Sequence, residues 1–185
     1  MMRELADNIM DIAQNSISAG ASLTQILVKA SHEDDLITLC FTDNGCGMDA
    51  EMVKSVTEPF TTTRKTRKVG LGLPLLQQTA MMTGGDLWIE SEVGKGTKVT
   101  ATFGLRHIDR PPIGDVAGAW FSLVVMNPDT DFLFTYDYDG KVFTFDTREI
   151  RAAVDPLPLN NMEIADWIKA CIYQEINELH GGMFT

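Results

Sequence analysis

The hexapeptide DNGCGM, residues 43–48, stands between a short apolar run at 39–42 and a segment opening at Asp49 that reads as a short helix. A strand must therefore end, turn and restart as helix within six residues. Gly45 and Gly47 allow the positive φ and close backbone approach that such a junction needs, and they leave a surface without Cβ atoms on which a flat ligand can lie. Asp43, at the strand's end, offers a carboxylate that can accept from an amine. Taken alone, D-x-G-x-G describes a tight turn as readily as a binding site, so its neighbours decide between the two.

Those neighbours form an ordered series. Upstream, Leu5, Ile9, Ile12 and Ala13 make an apolar stripe that predicts a helix over about 3–19, ended by Gly20. Asn8, Asp11 and Asn15 follow the opposite, polar side, and the four-residue spacing of Asp11 and Asn15 lets both reach one ligand. Strands are predicted at about 23–30 and 36–42, joined by the turn SHEDD, and the second of them delivers Asp43. After a helix over 49–56 with Asp49 as its N-cap comes EPFTTTRKTRKVG, residues 58–70, a connection with no hydrophobic period whose length itself suggests a function. GLGLPLLQQTAMM then begins a helix near Gly72 or Leu73, because Pro74 is tolerated only in a first turn. Glycines, four clustered cations (Arg64, Lys65, Arg67, Lys68) and a helix N-terminus together favour an anion. Strands at 86–91 and 97–105, joined by EVGKG, complete the series.

Arg110-Pro111-Pro112-Ile113-Gly114 cannot continue a strand and reads as a linker, dividing the chain into residues 1–106 and 107–185. The second part is expected to be a small strand-strand-strand-helix unit, with strands at 119–126, 132–138 and 142–146 and a helix over 161–179. Its terminal helix carries Ile164, Trp167, Ile168, Cys171, Ile172 and Ile176 on one side, placed to cover Phe132, Phe134, Tyr136 and Tyr138. The unit either extends the first sheet or recognises a partner, and its 13 acids against 5 bases would suit a basic one.

Composition removes several function classes. A net charge of −11 argues against a duplex nucleic acid partner. Apolar runs are too short to span a bilayer and no signal-peptide order opens the chain, which predicts a cytoplasmic protein. Cys40, Cys46 and Cys171 lack metal-ligand spacing.

The helix with Asp11 and Asn15, the DNGCGM turn, EPFTTTR running into GLGLPL, and SEVGKGTKVTATF, taken in this order over residues 4–103, resemble the GHKL superfamily of ATP-binding domains: DNA gyrase, a heat-shock chaperone, histidine kinases and the MutL mismatch-repair ATPases. NSISAGAS is similar to the MutL form, whereas EPFTTTR, GLGL and VGKGTKVTATF are similar to histidine kinase catalytic domains and the related anti-sigma-factor kinases. The resemblance implies an α+β fold, a two-layer α/β sandwich with a mixed sheet, to which residues 107–185 add a small hairpin and helix. It implies ATP and Mg²⁺, with Asn15 as metal ligand and Asp43 accepting from the adenine amine together with Thr97. Gly45 and Gly47 would shape the adenine pocket, the backbone of Gly70, Leu71 and Gly72 would meet the phosphates, and Phe60, Thr61, Arg64, Lys65 and Lys68 match a mobile lid.

The departures from that pattern carry information as well. Asp11 stands where many members have Glu as general base, one methylene shorter. Glu4 and Asn8 repeat the spacing, but only Asn15 is followed by NSIxAGA, which leaves Glu4 and Asn8 as helix-surface residues. No phosphoacceptor helix pair is found, and His32, His107 and His180 read as surface residues. The expected activity is therefore that of a signalling kinase phosphorylating a histidine, serine or threonine of a partner in trans; a regulatory ATPase or ATP-gated binding module is the alternative, and a MutL-like clamp ranks last. The oligomeric state is left open, a dimer among the options.

Overall fold

A computed structural model describes residues 4–57 and 72–181. The described elements run α1 (Leu5–Ser18), β1 (Leu23–Ser31), β2 (Leu36–Asp43), α2 (Ala50–Thr57), α3 (Gly72–Met82), β3 (Leu87–Glu92), β4 (Gly96–Gly104), α4 (Val116–Met126), β5 (Asp131–Tyr138), β6 (Lys141–Asp146), α5 (Thr147–Val154) and α6 (Met162–Leu179). The six strands form a single mixed sheet in the order β3-β4-β2-β1-β5-β6, in which only β1 and β5 pair in parallel.

Alternation along each strand sends its apolar residues to one face. In register, Ile26 pairs with Phe41 and Phe134, Phe41 with Val99, and Val99 with Ile89, so one continuous apolar rung crosses from β3 to β5. α1, α3, α4 and α6 contribute Leu5, Ile9, Leu76, Trp120, Leu123, Ile168 and Ile172 to the same core. The opposite face is polar across the centre, with Thr38, Cys40 and Thr42 on β2 beside Thr102, Thr100 and Lys98 on β4. The architecture is the expected α+β arrangement of a mixed sheet with helices.

Two parts of the C-terminal reading are corrected. Residues 119–126 are not a strand but lie in α4, whose N-cap Asp115 accepts from Gly118 N at 2.8 Å. A run that is apolar but for Ser122 has no period to read. Here Val116, Ala117, Ala119, Trp120, Leu123 and Val124 are all buried, because the helix packs on α1, α6 and the sheet. Topology requires a crossover in this place: β4 and β5 point the same way, and parallel strands of one sheet cannot be joined by a hairpin. The second correction concerns Trp167, which is 52% exposed rather than covering the aromatic strand. Trp120 holds that position, stacked on Phe134 with ring centroids 4.7 Å apart, while α6 inserts Ile164, Ile168 and Ile172.

Two residues expected at the surface are inside. Asn8 is buried on α1, with its Nδ2 donating to Glu4 O. His180 is buried at the end of α6, its Nε2 2.9 Å from the Tyr136 hydroxyl. Burial holds the imidazole below its ordinary value, so the unfolded chain takes the proton first. Its contribution to stability is thus present above the unfolded value of about 6.5 and is lost as pH falls below it. The expected result is that His180→Gln flattens the decline of the thermal midpoint between about pH 7 and pH 5.5. Identical slopes in the two proteins would assign the acid sensitivity elsewhere.

Candidate functional site

At one end of the sheet the inward-facing rung is polar. Thr24 of β1 pairs with Asp43 of β2, Asp43 with Thr97 of β4, and Thr97 with Ser91 of β3. The rung two residues further along is the apolar Ile26, Phe41, Val99 and Ile89. Four polar side chains therefore stand where the core pattern calls for hydrophobic ones, and burial of polar groups at that density needs partners.

Asp43 is the centre of the partners. Its Oδ1 accepts from Gly45 N at 2.8 Å and from Thr97 N at 3.3 Å, and its Oδ2 accepts from Ser16 Oγ at 2.8 Å. Met48 N donates to Ser91 Oγ, which lies 2.9 Å from Thr97 Oγ1. The loop is pinned at both sides, since Cys46 N donates to Ala19 O and Gly94 N to Cys46 O. Gly47 has φ +67°, and a Cβ on it would run into the Glu92 carbonyl. The glycine is thus required by the closeness of the β3–β4 turn as well as by its backbone angle. Gly45 is buried, with room for a Cβ only at 3.0 Å from Ala19 and Asp43 Oδ1.

A second cluster joins α1 to the start of α3. The Asp11 carboxylate lies against Gly72, the first residue of α3, so closely that a Cβ at Gly72 would collide with it. Asp11 Oδ2 is buried and has no hydrogen-bond partner among the described residues. The positive end of the α3 dipole offsets part of the cost of leaving a carboxylate oxygen there. Asn15, one turn beyond Asp11, is exposed, and Ser16 beside it faces inward to Asp43. The last turns of α1 therefore present Asp11 towards α3 and Ser16 towards the polar rung.

Of the residues singled out in the sequence, Asp43, Gly45, Gly47 and Thr97 come together in one network, and Asp11 meets Gly72 in another. Phe60, Thr61, Arg64, Lys65, Lys68, Gly70 and Leu71 lie outside the described residues. Ser16, Thr24 and Ser91 were not singled out. Ser16 sits seven residues after Ile9, on the apolar stripe of α1, and Thr24 and Ser91 occupy inward positions of their strands, so a polar residue at a core position was the available signal.

Cavity size alone would place the site elsewhere. A cavity of about 620 Å³ lies between the N-termini of α1 and α4 and the end of α6, lined by Glu4, Arg110, Asp115, Tyr136, Tyr173 and His180 among others. Several of its polar groups tie the helix ends together: Glu4 accepts from Asp115 N, Asp115 accepts from Gly118 N and from the Tyr173 hydroxyl, and Arg110 donates to the carbonyls of Leu105 and Pro111. A smaller groove of about 350 Å³ lies at the sheet's edge, lined by Asp43, Ser91, Gly96 and Thr97 and also by Thr42, Glu90 and Lys98 of the outer face, and it adjoins the polar rung and its glycine turn. Chemistry rather than volume locates the candidate site there.

The polar rung lies in the part of the chain that resembles known proteins. The family described as histidine kinase-, DNA gyrase B-, and HSP90-like ATPase matches residues 1–107. A putative sensor protein of Shewanella frigidimarina is 34% identical over 109 residues, covering 58% of this chain and 17% of that protein. Sporulation kinase D of Bacillus subtilis is 33% identical over 94 residues, covering 51% of this chain and 18% of the kinase. The chain thus corresponds to less than a fifth of either relative's length. Among solved structures, the N-terminal domain of a DNA repair protein superposes with a TM-score of 0.55 at 15% identity, covering 77% of this chain and 52% of the other, which is a likeness of fold.

Proposed function

The chain belongs to the family of histidine kinase-, DNA gyrase B- and HSP90-like ATPases, and from that premise we propose that it binds Mg-ATP at the polar rung and acts as a histidine-kinase-like catalytic domain on a partner protein in trans. One observation carries the reading: a carboxylate, Asp43, held by three protein donors at the end of a strand, with one acceptor position left to meet an exocyclic amine. The residues present fit such a ligand. Gly45 N donates to that carboxylate, Gly47 brings the turn close against the Glu92 carbonyl, and Thr97 adds a hydroxyl in register with Asp43.

Towards the phosphates, the exposed Asn15 amide would serve as an oxygen ligand to Mg²⁺, an ion that needs few protein ligands when phosphates and waters supply the rest. Mg²⁺ when bound would offset charge on the phosphoryl oxygens. Asp11 is the candidate proton acceptor. A feature favouring the second reading, an ATP-gated binding module without transfer, is the enclosure of Asp11 Oδ2 against Gly72. In either case the acidic residues of 107–185 would offer a basic partner a salt-sensitive docking surface.

The two readings separate in one experiment. With γ-labelled ATP and a cell extract, label on a protein supports transfer in trans, and label only in free phosphate supports the gated module. Asn15→Ala should weaken Mg-dependent nucleotide binding by about tenfold or more. Asp11→Asn should keep binding and lower turnover by on the order of a hundredfold. Turnover unchanged in Asp11→Asn would remove the acid from the chemistry.

A further inference from the structure

The Ser16–Asp43 contact carries an inference that rests on the nucleotide reading above and deepens it: we propose that Ser16 is a positioning residue that selects adenine by fixing the free acceptor of Asp43. A carboxylate has about four acceptor positions over its two oxygens. Among the described residues, Oδ1 accepts twice, from Gly45 N and Thr97 N, whereas Oδ2 accepts once, from Ser16 Oγ at 2.8 Å. The acceptor that remains is therefore on Oδ2, the oxygen that Ser16 holds.

Packing does not explain a serine in this place. Ser16 is 4% exposed and continues the stripe of Ile9, Ile12 and Ala13, where alanine would fill the same space without burying a hydroxyl. Its position on a rigid helix fixes the side chain, and the hydroxyl on Oδ2, together with Gly45 N and Thr97 N on Oδ1, fixes the rotation of the carboxylate about its terminal bond. The remaining lone pair of Oδ2 then has one direction, set before any ligand arrives. A purine with an amine at C6 can donate to it. A purine with a carbonyl at C6 brings an acceptor against an acceptor and leaves the carboxylate unsatisfied, the asymmetry by which buried polar groups discriminate.

Without the hydroxyl only Oδ1 is tied, by Gly45 N and Thr97 N, so the direction in which Oδ2 meets the amine is no longer fixed and part of that gain is lost, while a carbonyl at C6 still meets an acceptor as before. Thr24, the other polar neighbour of Asp43 in the rung, is fully buried, and its Oγ1 has no partner among the described residues. It does not share this role.

The test is isothermal titration of the whole chain with Mg-ADP and Mg-IDP, which differ at C6. The unmodified protein should prefer ADP by at least about tenfold, the worth of one hydrogen bond to a charged group. Ser16→Ala should weaken ADP by about tenfold and leave IDP unchanged, bringing the ratio towards one, and Ser16→Thr, which keeps the hydroxyl, should restore the preference. A Ser16→Ala protein that retains the full ADP preference overturns the proposal, as does one that loses both ligands equally with a lowered thermal midpoint, since that is a structural tie between α1 and β2. Failure of the unmodified protein to bind ADP is visible before any variant is made and overturns the nucleotide reading itself, whereas equal binding of ADP and IDP leaves that reading standing and overturns base selection by Asp43 and Ser16.

Discussion

Mg-ATP at about a hundredfold excess over its dissociation constant is expected to stabilise the folded chain by roughly 2.7 kcal/mol, raising the thermal midpoint by about 5–11 °C, and Mg-GTP to do much less. The folded state offers a preformed carboxylate, the Thr97 hydroxyl in register with it and the exposed Asn15, and the unfolded chain offers none of these together. Guanine presents a carbonyl where adenine presents an amine, so the response should separate the two nucleotides at the base rather than at the phosphates. Asp43→Asn should abolish most of the shift. Its single amide oxygen cannot accept from Ser16, Gly45 and Thr97 as the two carboxylate oxygens do, and its NH₂ group would face N–H or O–H donors. Differential scanning fluorimetry of the two proteins with ATP, ADP and GTP decides the matter. No shift with any adenine nucleotide would remove the site, and equal shifts with ATP and GTP would remove the role given to Asp43.

Legibility in the sequence followed the strength of the local period. α1 and the four strands of residues 23–104 have one wet and one dry side, and their apolar residues recur at the spacing of a helix or a strand. α4 has no wet side of comparable extent, so its period vanished and residues 119–126, apolar but for Ser122, read as a strand. Trp167 was misplaced for a tertiary reason: whether α4 or α6 covers the aromatic strand depends on the crossover, which pattern alone does not contain. In the site, Asp43, Gly45 and Gly47 stood out through the ordered series of motifs around them, since D-x-G-x-G alone describes a turn as readily. Ser16, Thr24 and Ser91 did not, because a single small polar residue is unremarkable until the register lines it up with its neighbours.

Truncation after Arg106 is expected to yield a fragment that aggregates or fails to fold, although residues 1–106 hold nearly the whole matched family region. β5 pairs along the full length of β1, from Leu23 with Asp131 to Ala30 with Tyr138, and places Phe132, Phe134 and Tyr136 beside Thr24, Ile26 and Val28 on the buried face. Removing it bares the edge of β1 in the middle of what was a six-stranded sheet, leaving unpaired N–H and C=O groups that can template association. The first helix loses support as well: Leu5 N and Ala6 N donate to the carbonyls of Pro112 and Ile113, and α4 packs along α1. Uncovering Ile26 and Val28 alone costs about 1.5–3 kcal/mol each, a large share of the roughly 5–15 kcal/mol that keeps an ordinary domain folded. Because α1 carries Asp11, Asn15 and Ser16, any loosening of its seat reaches the candidate site directly. Size-exclusion chromatography, circular dichroism and nucleotide-dependent melting of fragment 1–106 beside the whole chain provide the measurement. A monomeric, cooperatively melting fragment with an unchanged response to Mg-ATP would mean that residues 107–185 are an appended recognition unit and that the β1–β5 pairing is dispensable for the nucleotide site.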